Sequence, residues 1–209
     1  MSEAPDEGSV LVISAPSGAG KTTLCRRLLD EIADLEFSVS HTTRPPREGE
    51  REGIDYQFVT QAAFESLRDE GGFLEWARVA GHLYGTARQS VRATRARGHD
   101  VLLDIDTQGA AAVRRAIPDA VLIFILPPGP EALRARLEGR GSETPESLAR
   151  RLSLARGELE QAHLYDYLVV NDELAAAFDR LRSIVLAVRS RTARQKGRLD
   201  SIRRRFTEP

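Results

Sequence analysis

Unbroken runs of apolar residues, rather than alternating ones, mark the strands of this chain. Val10-Leu11-Val12-Ile13-Ser14 is rich in β-branched residues and stops at a Gly/Pro/Ser-rich turn, the pattern of a strand buried on both faces. From Thr22 to Ala33 the apolar positions Leu24, Leu28, Leu29 and Ile32 fall at helical spacing. Asp100 to Ile105 and Ala120 to Leu126 predict two further buried strands, the second stopped by Pro127-Pro128, and Tyr167 to Val170 a last short one. Between them the spacing predicts helices over 60–70 (with Thr60 as N-cap and Phe64 and Leu67 on one face), 130–137, 146–161 and 173–194. A glycine- and serine-bearing stretch, 139–145, separates the two middle helices. The polar segment from Phe37 to Tyr56, with Pro45-Pro46 inside it, reads as a loop-rich excursion opening from a short strand at 37–39. Strands alternating with helices give an α/β fold with a parallel sheet covered on both faces.

Composition narrows this picture in three places. The chain has 209 residues with 41% hydrophobic and 29% charged, enough for a core-bearing domain and unlike a disordered segment. The formal net charge of -1 leaves no global attraction for nucleic acid or an anionic membrane. Of 30 basic residues only Lys21 and Lys196 are lysine, so position 21 reads as one that requires a compact ammonium. Cys25 is the single cysteine; it sits within a helical pattern and reads as a buried small apolar residue in a reducing compartment. The acidic start is no signal peptide, and no apolar run approaches the roughly 20 residues of a membrane span. The expectation is a cytoplasmic protein with no membrane partner. The basic tail, 190–209, is read as a solvated end, with a helix as the alternative. Nucleic-acid binding by it is not expected, since Arg203-Arg204-Arg205 has only Phe206 as an aromatic companion.

The densest chemistry follows the first strand. Ala15-Pro16-Ser17-Gly18-Ala19-Gly20-Lys21-Thr22 matches the phosphate-loop pattern G-x-x-x-x-G-K-[ST] except at its first position. The backbone N–H groups of such a turn, with the positive end of the following helix, hold phosphate oxygens. Lys21 then bridges the β- and γ-phosphates and the Thr22 hydroxyl meets Mg²⁺. Alanine at position 15 costs nothing if its φ is negative and about 1 kcal/mol if it is positive. The four histidines, His41, His82, His99 and His163, show no metal or triad spacing.

Further motifs lie in register with this loop. Ser38-Val39-Ser40-His41-Thr42-Thr43-Arg44-Pro45-Pro46-Arg47-Glu48-Gly49-Glu50, running on to Tyr56, is the first of them. Phe73-Leu74-Glu75-Trp76, Tyr84-Gly85-Thr86, the stretch from Leu103 to Gly109 and that from Arg136 to Gly141 are the others. Together they resemble the guanylate kinase family over about residues 10 to 187. The resemblance implies a P-loop nucleoside-monophosphate kinase fold, a parallel sheet with flanking helices plus a GMP-binding excursion and a lid. It implies a core formed by 8–39, 96–138 and 158–189, a GMP-binding region at 40–95, a lid at 139–157 and the tail at 190–209. The implied reaction is ATP + GMP to ADP + GDP, with dGMP as a second acceptor and Mg²⁺ as cofactor.

Residue by residue, the resemblance gives Ala15, Pro16, Ser17, Gly18, Ala19, Gly20, Lys21, Thr22, Thr23 and Asn171 to ATP. Ser40, Arg44, Arg47, Glu50, Tyr56, Glu75, Tyr84, Thr86 and Asp106 fall to GMP. Guanidinium forks suit a phosphate dianion, and carboxylates suit the N1–H and N2–H₂ donors of guanine. Thr22 and, through water, Asp104 are the metal positions. The division of roles between Asp104 and Asp106 stays open. The catalytic set is Lys21, Arg44, Arg136, Arg140 and Arg151, acting by position and charge because the GMP phosphate is itself the nucleophile. Arg150 competes with Arg151 for its role, and only one of two adjacent helical residues faces a given site. Two rivals stand beside this reading. A non-catalytic guanylate-kinase-like binding domain would not need Lys21, Thr22 and the lid arginines; a ribose bisphosphate kinase would not need Glu75, Asp106, Ser40 and Thr86. Oligomeric state is not legible.

Overall fold

The computed structural model describes residues 6–79, 81–139 and 144–207. Its main sheet has the order β2-β7-β1-β8-β9, from Leu35–Phe37, Asp100–Asp104, Val10–Ser14, Val121–Leu126 and Tyr167–Val170. Every pairing in it is parallel. Residues of β1 alternate between two cores. Leu11 and Ile13 pack with Leu24, Leu28, Phe178 and Val185 of α1 (Lys21–Glu31) and α7 (Leu174–Arg189). Val10 and Val12 pack with Val91 of α3 (Arg88–Ala96) and Val113 of α4 (Thr107–Ala116). Burial on both faces explains the unbroken apolar runs. From β1 the chain runs to β2 on one side of the sheet and from β8 to β9 on the other, so the C-terminal ends of β1 and β8 form the switch point where ligands settle in open α/β sheets.

A second sheet, order β4-β3-β6-β5, is built from His41–Thr42 (β3), Gln57–Phe58 (β4), Phe73–Val79 (β5) and His82–Ala87 (β6). Its β5–β6 hairpin and α3 are additions to the elements read from sequence. Helix α2 (Gln61–Asp69) covers the sheet with Phe64, which stacks on Phe73 at 4.4 Å between centroids. Gly85 is obligatory there, because a Cβ would lie 2.9 Å from Phe73 and 3.1 Å from Phe64. The Thr60 cap is as expected, accepting from the Ala63 N–H at 3.2 Å. Two helices, α5 (Pro130–Glu138) and α6 (Pro145–Glu160), pack through Leu133, Leu137, Leu148 and Ala155.

Three expectations are corrected. The short strand lies at 35–37, paired with β7, and not at 37–39. The last long helix ends at Arg189, where Ser190 caps it. The tail takes the helical alternative: α8 (Lys196–Thr207) follows, its start anchored by Asp6, whose carboxylate accepts from the Gly197 N–H at 3.1 and 3.2 Å, while none of its residues is buried. Beside that anchor lies buried Asp100, which accepts from Arg189 Nε at 2.6 Å, Arg194 Nη2 at 3.1 Å and the Ser9 N–H at 2.7 Å.

Candidate active site

The turn after β1 explains its own glycines. Gly18 and Gly20 have φ of 91° and 93°, a region alanine enters only at a cost. At Gly20 a Cβ would also sit 2.3 Å from Asn171 Nδ2. Ala15 has no positive φ, Asp34 being the sole non-glycine with one among the described residues, so the departure from the pattern carries no backbone strain. The first turn of α1 holds no acidic residue and no side-chain cap, which leaves its N–H groups for an anion.

Around this turn, Ala15, Pro16, Ser17, Gly18, Gly20, Lys21, Thr22 and Thr23 line a cavity of about 320 Å³ closed on the far side by Asp106 and Glu158. Ala19 is buried, and its carbonyl accepts from Asn171 Nδ2 at 2.7 Å. Asn171 is thus a buried brace of the loop. Arg136 completes the brace by donating through Nη2 to the Asn171 carbonyl at 2.9 Å; its Nη1 is buried with no partner among the described residues. Lys21 is paired with the Asp104 carboxylate and donates to the Ile105 carbonyl at 3.5 Å. Arg151 is half-buried on α6, and Arg140 lies outside the described residues.

A second cavity, about 190 Å³, is lined by Ser40, Tyr56, Glu75, Tyr84, Asp104 and Asp106 among others. Asp106 is not on the strand but caps α4, accepting from the Gly109 N–H at 2.8 Å. Glu75 comes from β5 and accepts from Thr86 Oγ1 at 2.6 Å. Burial pushes the Glu75 carboxyl up from its ordinary range, against the Thr86 hydrogen bond, and the charge of Asp106 adds to the rise. Thr86 is fully buried, so its hydroxyl orients Glu75. A third opening, about 500 Å³, runs from Thr22 and Cys25 past Asp104 and Tyr56 to Glu50. The three adjoin: Asp106 borders the first two, Asp104 and Tyr56 the last two, and Thr22 the first and third.

At the mouth, Arg44 donates through Nη2 to both Glu50 oxygens at 2.7 and 2.8 Å and through Nε to Tyr84 Oη at 3.2 Å. The Arg47 N–H also donates to Glu50, at 2.8 Å. Glu50 is therefore the carboxylate that holds Arg44 in place. Glu158 was missed by sequence reading. Burial raises its carboxyl, Lys21 opposes that rise and Asp106 adds to it. The available signal was its place seven residues after Arg151, two turns along one helical face. Cys25 is buried, its thiol pushed up to about 12 chiefly by desolvation, and is inert as read.

A phosphate loop at the switch point of a parallel sheet, facing a second, carboxylate-lined cavity across a shared aspartate, defines a P-loop nucleoside-monophosphate kinase. Comparison with known proteins gives the family. The model of the family described as Guanylate kinase matches residues 7–188. A guanylate kinase of Neisseria meningitidis serogroup A is 55% identical over 191 residues, covering 91% of this chain and 93% of its own. One of Syntrophotalea carbinolica is 51% identical over 198 residues, covering 93% and 94%. The crystal structure of guanylate kinase from Anaplasma phagocytophilum superposes with a TM-score of 0.73 at 34% identity, over 91% of this chain and 90% of that one. The chain belongs to the guanylate kinase family, and its activity is that of a guanylate kinase.

Proposed function

We propose that ATP binds at the 320 Å³ cavity, GMP at the 190 Å³ cavity, and that phosphoryl transfer takes place in the third opening, which joins them beside Thr22 and Asp104. The observation that carries this is the continuity of the three cavities: the 500 Å³ opening shares Thr22 with the first and Asp104 and Tyr56 with the second, which brings an acceptor phosphate up to a donor phosphate. We take 40–95 as the GMP-binding region, 139–157 as the lid and 8–39, 96–138 and 158–189 as the core.

In this reading the purine N1–H and N2–H₂ groups donate to Glu75, with Asp106 as the neighbouring acceptor. Thr86 holds Glu75 through its 2.6 Å hydrogen bond, while Ser40 offers a hydroxyl from the cavity wall. The GMP phosphate takes the place of Glu50 on Arg44 and joins Arg47, Tyr56 and Tyr84; a dianion outbids a carboxylate for a guanidinium fork. Lys21 leaves Asp104 for the β- and γ-phosphates. The orphaned Nη1 of Arg136, one residue removed from the loop through Asn171, gains an anionic acceptor, relieving a cost of about 1–3 kcal/mol. Arg140 and Arg151 complete the positive surround of the transferred group.

Thr22 and Asp104 supply hydroxyl and carboxylate oxygens, the donor chemistry Mg²⁺ accepts, and few protein ligands suit an ion held mainly by phosphates. With Thr22 and Asp104 holding it there, Mg²⁺ would supply neutralisation of the charge that develops on the transferred phosphoryl group. Among the described residues no helix is long and apolar enough to cross a membrane, and we place the enzyme in the cytoplasm. A coupled assay of ADP formation over GMP, dGMP, AMP, UMP and ribose bisphosphate tests the reading. GMP and dGMP are expected to be the efficient acceptors; equal rates with AMP would reject the carboxylate assignment, and a ribose bisphosphate preference would reject the whole of it.

A further inference from the structure

Behind the β5 strand lies a cleft of about 350 Å³ that takes no part in the nucleotide sites. Its wall is one face of α3, where Arg88, Arg92 and Arg95 follow one another at spacings of four and three and so project together. Two of these arginines are fixed by their inner nitrogen. Arg88 Nε donates to the Gly71 carbonyl at 3.0 Å and Arg95 Nε to the Gly8 carbonyl at 2.7 Å. That arrangement leaves the terminal nitrogens of both available to the cleft. Those of Arg88 have no partner among the described residues, and Arg92 has no hydrogen bond or ion pair at all among them. Arg95 Nη2 reaches Glu7 at 3.2 Å and Asp119 at 3.5 Å, long contacts to carboxylates that are 59% and 72% exposed. The floor is apolar, with Leu74 and Val91 buried beneath it.

Surface arginines held in this way are unusual, because a guanidinium held at Nε has lost the side-chain freedom that an anion contact otherwise costs. Three guanidinium groups facing two loosely held carboxylates leave an uncompensated positive charge over an apolar floor. We propose that this cleft binds a phosphorylated small molecule. Its phosphates lie between Arg88, Arg92 and Arg95 and displace Glu7 and Asp119 from Arg95; its apolar portion rests on Leu74. The elements that meet there come from both sheets: β5 belongs to the second, α3 packs against β7 of the main sheet and β6 of the second, and the Ile117–Asp119 turn follows α4.

Calorimetric titration of the full chain, with GMP and ADP saturating and EDTA present, tests this with inorganic pyrophosphate as the probe. The wild type is expected to bind pyrophosphate in one further event. Arg92→Gln weakens that event at least about tenfold, as the loss of one charge-assisted contact implies. Glu7→Gln with Asp119→Asn strengthens it. Uridine diphosphate binding more tightly than pyrophosphate supports a nucleoside as the apolar portion, and equal binding overturns the part of the proposal that seats an apolar portion on Leu74. No event in the wild type, or the same event in Arg92→Gln and in Arg88→Gln/Arg92→Gln, overturns the proposal. Arg92 has no partner to lose, so its variant keeps the test valid if Arg88→Gln disturbs the β5 root.

Discussion

Replacing Glu75 by glutamine changes two atoms' chemistry and little else. Thr86 Oγ1, which donates to Glu75 Oε1 at 2.6 Å, finds the same oxygen on glutamine, so the side chain keeps its place. The other carboxylate oxygen becomes an NH₂ donor aimed at the donors of guanine. One acceptor is lost and two donors are set against each other in a half-buried site, a cost of about 1–3 kcal/mol. That corresponds to roughly a 5- to 150-fold weaker hold on GMP. AMP, which offers no donor pair at that edge, loses nothing. In the coupled assay kcat/KM for GMP therefore falls by that range while the AMP value is unchanged or rises, and the melting temperature stays near the wild type's. An unchanged GMP-to-AMP ratio in a folded Glu75→Gln protein would refute the reasoning. The raised carboxyl of Glu75 adds a pH signature. Only the ionised form accepts from both donors, so KM for GMP climbs on acidification at a higher pH than an ordinary glutamate would give, and Glu75→Gln lacks that climb.

Lys21→Ala lowers turnover on the order of 100- to 1,000-fold, as removal of one preorganised positive group from a transition state does. GMP binding measured by calorimetry stays within a few-fold; loss of GMP binding would mean the two cavities are not divided as proposed. Asp100→Ala leaves Arg189 and Arg194 without their buried partner and costs about 3–5 kcal/mol in urea unfolding, with α8 released first in hydrogen exchange. A loss below 1 kcal/mol would show the cluster to be a surface pair in energetic terms. His41 is held neutral, burial lowering its ring from 6.5 against the opposing charge of Glu52. The unfolded chain then binds the proton more readily than the folded one, so stability is whole above pH 6.5 and declines as the pH falls through and below it. His41→Gln flattens that decline, and an equal slope in the two proteins would exclude the histidine as its source.

Local chemistry settled much of this protein in advance. Consecutive apolar residues in β1, β7 and β8 could only be strands covered on both faces. Gly20-Lys21-Thr22 between a strand and a helix could serve little besides phosphate, since glycine conformations and helix polarity act over a few residues. Several motifs in register named Ser40, Tyr56, Glu75, Tyr84 and Asp106 together, and the fold gathers those five around one cavity. The β5–β6 hairpin was not, because β5 carries Glu75, Trp76 and Arg78 with only Phe73 and Leu74 buried, and its alternation is broken by a bulge between Phe73 and Glu75. Nor could spacing show that Asn171 braces Ala19 from 152 positions away, that Glu50 already occupies Arg44, or that Glu158 closes the phosphate cavity. Arg194 at the start of the tail read as solvated because its partners, Asp100 and the Asp6 carbonyl, lie in chain segments 94 and 188 positions away. Sequence limits what a residue offers within a turn or two; which partner takes up the offer depends on distant chain segments, such as Ala19 and Asn171, brought together only by the tertiary fold.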